Sequence, residues 1–408
     1  MKQLLVNCRV DGVHAAVLED GVLADYASER QDPEQPGRSQ PGALLGNIYR
    51  GKVVNVLPGM QAAFLDIGLA KNAFLYIDDV LGVNLGKGKD KERPSIRDVL
   101  KIGQELVVQV MREASGAKGA RVTMHVSLPG RWLVYMPSAG YVGVSRKIED
   151  EKQRERLRLF GERMRLREEG VILRTAAAGV SDAALTDDLS FLRDRWLQIS
   201  DYAKQRKAPA ELHREAGLVY RIVRDMLTAD MDEIWVDTEE VYEQTIALVR
   251  EMVPGSEKNV KLYPMGRQAG LFDYYGVNQQ TDLALSRIIQ LASGGYIVWD
   301  ETEALTVIDV NTGKYTGTDK LEDTLYRTNA EAAEAIARLL RLRDTGGIII
   351  IDFIDMQEEK NRQRISQRME ELVRRDRIRC TVVGWTRLGL MEMTRKKARA
   401  AASAQLPE

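Results

Sequence analysis

The stretch ALTVIDVNTGKYTG, residues 304–317, and its counterpart GGIIIIDFIDM, residues 346–356, decide the fold. In each, an apolar run of strand length ends on acid: Asp309, with Asn311 two positions later, in the first, and Asp352 and Asp355 in the second. Between them, residues 319–343 carry Leu321, Leu325, Ile336, Leu339 and Leu340 on one helical face. Strand (Ala304 to Val310), helix (319–343) and strand (Gly347 to Phe353) make a βαβ unit, whose crossover joins parallel strands. Both strands then end on one sheet edge, the edge where open α/β sheets hold ligands. Period-two alternation predicts Asn311 on the side of Asp309, and Asp355 on the side opposite Asp352.

Two carboxylates brought together repel unless a cation lies between them. Mg²⁺ is the expected ion, because it is hard, prefers oxygen and often takes only one or two protein carboxylates beside water and phosphate oxygen. The chemistry such a pair supports is phosphodiester hydrolysis, the cation polarising the phosphate and acidifying a bound water. Asn311 cannot titrate and is suited to orient a phosphate or a ribose hydroxyl. Asp at a strand end is also a common cap or turn residue, so on the residues alone a structural role stays open beside the catalytic one.

Bulk properties limit the alternatives. A chain of 408 residues exceeds one ordinary core, so about two to four domains are expected. Hydrophobic content of 44% and charged content of 29% are those of a soluble globular protein. With a formal net charge of −1 there is no global basic field, and any anion site has to come from local clustering of the 59 Lys and Arg. Cys8 and Cys380 lack CxxC spacing and are expected to be free thiols in a reducing cytosol. MKQLLVNCRVDG at the N-terminus is broken by Asn7, Arg9 and Asp11 and is no signal peptide, and the apolar run Ile348 to Ile351 is too short to span a bilayer. A cytoplasmic location is therefore expected. His14, His125 and His213 are scattered singly, which argues against zinc or a His triad.

At the N-terminus, LLVNCRV and HAAVLEDGVLADY predict a hairpin turning at Asp20-Gly21, and QDPEQPGRSQPGA, residues 31–43, predicts a linker. Five short β runs follow: NIYRGKVVNVL, MQAAFLDIG, NAFLYIDD, QELVVQVMRE and ARVTMHVSL, with a Lys/Gly-rich loop at 85–94. Their number and turn spacing predict a small barrel of the oligonucleotide-binding (OB) type. RWLVYMP, YVGVSRK and VILRTAAAG predict strands, 148–169 a charged helix, and Ser181 the N-cap of a helix over 182–206. GLVYRIVRDML and EEVYEQTIALVREMV predict helices, and DEIWVDT and NVKLYP strands, so residues 217–263 offer the N-terminal hairpin a sheet to join. A hairpin over 295–311, a basic helix over 358–377, a strand at IRCTVVGWT and a trailing KKARAAASAQLPE complete the chain, without internal repeats.

IDVNTGKYTG, LRLRDTGGIIIIDFIDM and WTRLGLMEMTRKK resemble the ribonuclease E/G family of bacterial endoribonucleases. The resemblance extends to GNIYRGKVVNVLPGMQAAFLDIG, similar to that family's S1 RNA-binding domain, and to VILRTAAAG and SGGYIVWDETEALTVID. It implies an α/β multidomain protein: a ribonuclease H-like subdomain (1–36 and 217–283), an inserted S1 barrel of OB type (37–127), a 5′-sensor region (128–216), a nuclease-like, DNase I-like subdomain (284–400) and a tail (401–408). By position it makes Asp309 and Asp352 metal-binding and Asn311 their catalytic companion. It also places Gly130, Val134, Arg174, Thr175 and Arg379 in a pocket for an RNA 5′-monophosphate, where guanidinium forks suit phosphate. In the S1-like region Phe64 and Phe74 become stacking faces, Lys118 a phosphate contact and Arg112 a further candidate.

The implied activity is Mg²⁺-dependent endonucleolytic cleavage of single-stranded, AU-rich RNA, favoured by a 5′-monophosphate, in messenger decay and in ribosomal and transfer RNA processing. The rival expectation is a non-catalytic S1-type RNA-binding or scaffold protein, against which the intact Asp309, Asn311 and Asp352 argue. Family members continue into a CPxCxG-type segment whose cysteines share zinc between subunits. This sequence stops at AAASAQLPE, residues 400–408, and neither Cys8 nor Cys380 lies near it, so Zn²⁺ is not expected. A homodimer or tetramer is the implied assembly, and the chain looks closer to ribonuclease G or to a ribonuclease E catalytic core.

Overall fold

Asp20 and Gly21, both at positive φ (51° and 79°), turn the chain between strands Gly12–Glu19 and Val22–Asp32, as the Asp-Gly signal predicts. The computed structural model containing this turn describes residues 1–396, except 33–34, 40–43, 82–93, 115–117, 228–230, 254, 265, 267, 314–320 and 375. The trailing tail, the Lys/Gly-rich loop and the start of the predicted helix at 319 fall outside the described residues. The chain forms two units, Met1–Pro36 with Leu227–Glu408, and Gly37–Met226.

In the first unit the N-terminal hairpin does find its sheet. Lys2–Arg9 pairs antiparallel with Gly12–Glu19 and parallel with Glu233–Val236, which pairs parallel with Val260–Leu262 across the helix Glu239–Met252. The far edge of this six-stranded sheet is Gln35–Ser39. The linker expected over 31–43 is thus partly strand; a sheet edge tolerates Pro and Gly that an interior strand does not.

A second six-stranded sheet runs in the order Ile288–Gln290, Tyr296–Glu301, Leu305–Asn311, Gly347–Asp352, Met391–Arg395, Cys380–Trp385. Leu305–Asn311 and Gly347–Asp352 are parallel, joined by the helix Leu321–Leu342, and the helix Glu359–Arg374 follows. Ile336, Leu339 and Leu340 of the first helix and Ile365 and Met369 of the second bury against Ile308, Val310, Ile349 and Ile351. Near the start of Gly347–Asp352, the buried Arg395 donates Nε to Asp376 at 2.7 Å and Nη1 to Asp344 and to the Thr345 carbonyl, both at 2.8 Å. A guanidinium so desolvated requires this full set of acceptors.

In the second unit the five predicted barrel strands close on themselves: Ile48–Leu57, Ala62–Asp66, Ala73–Tyr76, Arg121–Thr123 and Glu105–Arg112, which returns to Ile48–Leu57. This is an OB-type barrel, filled by Val53, Leu65, Ile67, Leu75, Val108 and Val122. Beside it lies a four-stranded sheet, Leu128–Pro129, Leu133–Met136, Gly170–Leu173 and Val142–Val144, with helices Glu151–Met164 and Asp182–Gln205. Ser181 caps the second helix, its Oγ accepting from Ala184 N at 3.3 Å. No helix among the described residues is long and apolar enough to cross a membrane.

Candidate functional site

The paired acids come from alternation. In Leu305–Asn311 the side chains of Thr306, Ile308 and Val310 are buried, which turns Val307 and Asp309 outward. In Gly347–Asp352, Ile349 and Ile351 are buried and Asp352 faces out. The parallel register sets Asp309 directly opposite Asp352. Asn311 Nδ2 donates to Asp309 Oδ2 at 2.8 Å, so the side chain two positions on does share the outer face. Glycines let the next segment approach. A Cβ on Gly295 would stand 2.7 Å from the Asn311 carbonyl oxygen, and one on Gly313, at φ 60°, 2.4 Å from that of Gly294.

Burial pushes the Asp352 carboxyl above its usual range, and the charges of Asp309 and Asp355 push the same way. The strand ends at Asp352, so the alternation expected to carry Asp355 to the far side does not reach it; its charge acts on Asp352 instead. The loop after Asp352 is clamped from the crossover helix. Buried Asn329 donates Nδ2 to the Ile354 carbonyl at 2.8 Å and accepts Ile354 N at 3.0 Å. Glu322 accepts from Gln357 N, Glu358 N and Asn361 Nδ2 at 3.1–3.2 Å. Neither residue figures in the sequence expectations, although Asn329, a polar residue inside the apolar stripe of that helix, was a visible signal.

Among the described residues no group of three or more His, Cys, Asp or Glu side chains stands ready for a metal. The donor set at this edge is two carboxylates and an amide. That suits a hard divalent ion completing its shell with water and phosphate oxygen, and not a soft or fully caged one.

Of the residues that the resemblance assigns to a 5′-phosphate pocket, Gly130, Val134, Arg174 and Thr175 lie in the second unit and Arg379 in the first, exposed just before Cys380–Trp385. Arg174 donates Nη1 to the Gly130 carbonyl and Nη2 to Asp225 Oδ1, each at 2.7 Å. Burial would raise the Asp225 carboxyl, but the Arg224 and Arg174 guanidinia hold it below its usual range. A Cβ on Gly130 would meet Asp188 Oδ1 at 2.5 Å. That carboxylate accepts the backbone N–H groups of Arg131, Trp132 and Leu133 at 3.3, 2.8 and 3.2 Å. Val134 pairs with Ile172 in the adjacent strand, and Thr175 Oγ1 lies 2.8 Å from Ser145 Oγ.

On the barrel, Ala63, Leu65, Ala73 and Leu75 are fully buried, so Phe64 and Phe74 between them face outward, half-buried. They are register partners with ring centroids 5.4 Å apart at 75°. Arg112 and Lys118 are exposed, and Arg112 is paired with Arg121. Tyr76, two positions beyond Phe74 and therefore on its face, was not singled out in the sequence; its ring lies 4.3 Å from that of Phe74.

A parallel α/β edge bearing paired carboxylates and a closed OB-type barrel define a multidomain α/β protein. A model of the ribonuclease E/G family matches residues 127–398. The chain is 41% identical over 401 residues to ribonuclease G of Escherichia coli (strain K12), covering 97% of this chain and 80% of the relative. It is 39% identical to ribonuclease G of Haemophilus influenzae with the same coverage, and 38% identical over 405 residues to ribonuclease E of Escherichia coli (strain K12), covering 97% of this chain and 37% of the relative. The chain belongs to the ribonuclease E/G family.

Proposed function

We propose that the protein is an endoribonuclease that hydrolyses phosphodiester bonds of single-stranded, AU-rich RNA at the edge formed by Asp309, Asn311 and Asp352, and that a 5′-monophosphate on the RNA stimulates it. What carries this reading is the register that sets Asp309 opposite Asp352 on parallel strands, within a chain whose relatives are named ribonucleases. We assign it to ribosomal and transfer RNA processing and messenger decay in the cytoplasm.

Asp309 and Asp352 would hold Mg²⁺, which when bound supplies Lewis acidity and neutralises charge on the phosphate. The rest of the work falls to the chain's own residues. Asn311 spends one Nδ2 hydrogen on Asp309 and keeps its second hydrogen and its carbonyl oxygen for a phosphate oxygen or ribose hydroxyl. Asn329 and Glu322 hold the loop behind Asp352, so that the two acids meet substrate without rearranging. Arg174, fixed at Gly130 and Asp225, is the fork for the 5′-phosphate, with Thr175 a hydroxyl donor beside it. Phe64, Phe74, Arg112 and Lys118 grip the single strand elsewhere.

The test is cleavage of a labelled 5′-monophosphorylated oligoribonucleotide, sized on a gel, with and without Mg²⁺, by the wild type and by Asp309→Asn. Internal fragments that need both the cation and Asp309 are expected. Full cleavage by Asp309→Asn overturns the assigned chemistry, and release of mononucleotides overturns the endonucleolytic mode.

A further inference from the structure

Four residues from four neighbouring barrel strands stand in one crosswise row: Phe64 opposite Phe74, Phe74 beside Arg121, Arg121 opposite Arg112. Neighbouring strands are about 4.8 Å apart, so the row offers evenly spaced positions to one extended polymer crossing the strands. Phe64 and Phe74 account for its first half. Its second half holds a planar cation in an unusual setting. Arg121 donates both Nε (3.0 Å) and Nη2 (2.7 Å) to Asp79 Oδ2, and Asp79 is buried. Its guanidinium carbon lies 4.7 Å from the centroid of Tyr76, and that ring in turn packs edge-on against Phe74.

An ion pair alone would account for the contact with Asp79. It does not account for a guanidinium laid against an exposed tyrosine with 36% of the Arg121 side chain and 37% of Tyr76 still in solvent. The fork edge formed by Nε and Nη2 is occupied by the carboxylate, which leaves only the Nη1 end of Arg121 for a phosphate. What it retains is a flat face, held at a fixed angle by the carboxylate and the ring. Guanidinium planes and aromatic rings are the surfaces on which unpaired bases stack.

We propose that Arg121, seated on Tyr76 and locked by Asp79, is a further base-stacking platform next to the Phe64–Phe74 pair, taking one more nucleobase of a single-stranded RNA. The inference rests on the RNA-binding reading of the barrel and adds a subsite to it. Being a π-face contact, it is tolerant of base identity, and it sets how many nucleotides the barrel engages.

The experiment is the affinity of the full chain for oligouridylates of three to ten nucleotides, without added divalent cation. The proteins compared are the wild type, Arg121→Lys, Tyr76→Ala and the Phe64→Ala/Phe74→Ala double variant. Arg121→Lys keeps the charge and the ion pair with Asp79 but has no plane. It and Tyr76→Ala are expected to bind the longer oligomers about fivefold to a hundredfold more weakly, the range for a lost base stack, and the shortest ones as the wild type does. If Arg121→Lys binds every length like the wild type, Arg121 contributes charge only and the platform is refuted. Equal weakening at every length refutes it too, since the pair would then be holding the barrel together. If the double phenylalanine variant binds the whole series like the wild type, the RNA-binding reading of the barrel fails, and the subsite with it.

Discussion

Asp309 and Asp352 are register partners on parallel strands, two like charges set side by side by the same alternation that buries Ile308 and Ile351. Like charges directly opposite one another destabilise a sheet; burial first, and then the charges of Asp309 and Asp355, push the Asp352 carboxyl up. Under the proposed function, a bound cation would offset that repulsion. Without divalent cation, Asp352→Asn is expected to unfold at a temperature no lower than the wild type. Mg²⁺ at about a hundredfold over its dissociation constant should stabilise the wild type by about 2.7 kcal/mol, a rise of about 5 °C or more for a unit of this size. Neither Asp309→Asn nor Asp352→Asn should show that rise in a thermal melt. An equal rise in all three proteins would mean that the cation binds elsewhere.

Arg174 is held by backbone carbonyls and by the Asp225 carboxylate, and the carboxylate can be tested apart from the guanidinium. At a bidentate phosphate site lysine does not substitute for arginine. Arg174→Lys is expected to lower the ratio of cleavage rates on 5′-monophosphorylated over 5′-triphosphorylated RNA about tenfold, equivalent to roughly 1.4 kcal/mol. Asp225→Asn removes the charge that aims the guanidinium and leaves Arg174 in place, so it should lower the same ratio by a smaller factor. The measurement is competition between two oligomers of one sequence that differ only at the 5′ end. A ratio unmoved by Arg174→Lys would remove Arg174 from the sensor.

What was legible in the sequence was whatever local periodicity encodes. Asp309 and Asp352 could be placed on one edge because strand, helix and strand each announce themselves, and a βαβ crossover has one geometry. The barrel strands could be counted because turns separate them. Pairing between distant segments carries no such local mark. Met391–Arg395 inserts between Gly347–Asp352 and Cys380–Trp385, and its short alternation, Met391 and Met393 in and Glu392 and Thr394 out, sits in a segment whose charges suggest a loop. The partners that fix the site were hidden for the same reason. Asp188 and Asp225 lie 57 and 51 positions from the residues they hold, Arg131 and Arg174, and no spacing rule links them. Arg121 and Tyr76 were hidden in another way: their strands announce themselves, but only the closed barrel's register sets Arg121 in one row with the two phenylalanines, and only the folded chain lays its guanidinium on Tyr76.

Glu233 offers a test of how the N-terminal hairpin is tied to a strand more than 200 positions away. Its carboxylate accepts from Lys261 Nζ at 2.5 Å, Trp235 Nε1 at 3.0 Å and Gln3 Nε2 at 2.8 Å, and so spans three adjacent parallel strands. The Lys261 ammonium first, then the Trp235 and Gln3 donors, draw its pKa from an ordinary 4.5 down to about 2. A carboxyl more acidic in the folded than in the unfolded chain stabilises the fold fully above the unfolded value and loses that contribution as pH falls through the folded one. The window here is pH 4.5 down to about 2. Because Lys261 is 41% exposed, solvent screening reduces the expected effect to about 1 kcal/mol. Glu233→Gln should therefore be less stable than the wild type at pH 7 and at pH 5, with the gap narrowing steadily below pH 4.5, as read from urea unfolding across the series. A gap that stays constant down to pH 2.5 would show that Glu233 contributes packing and neutral hydrogen bonds, and no charge-dependent tie between the hairpin and the sheet.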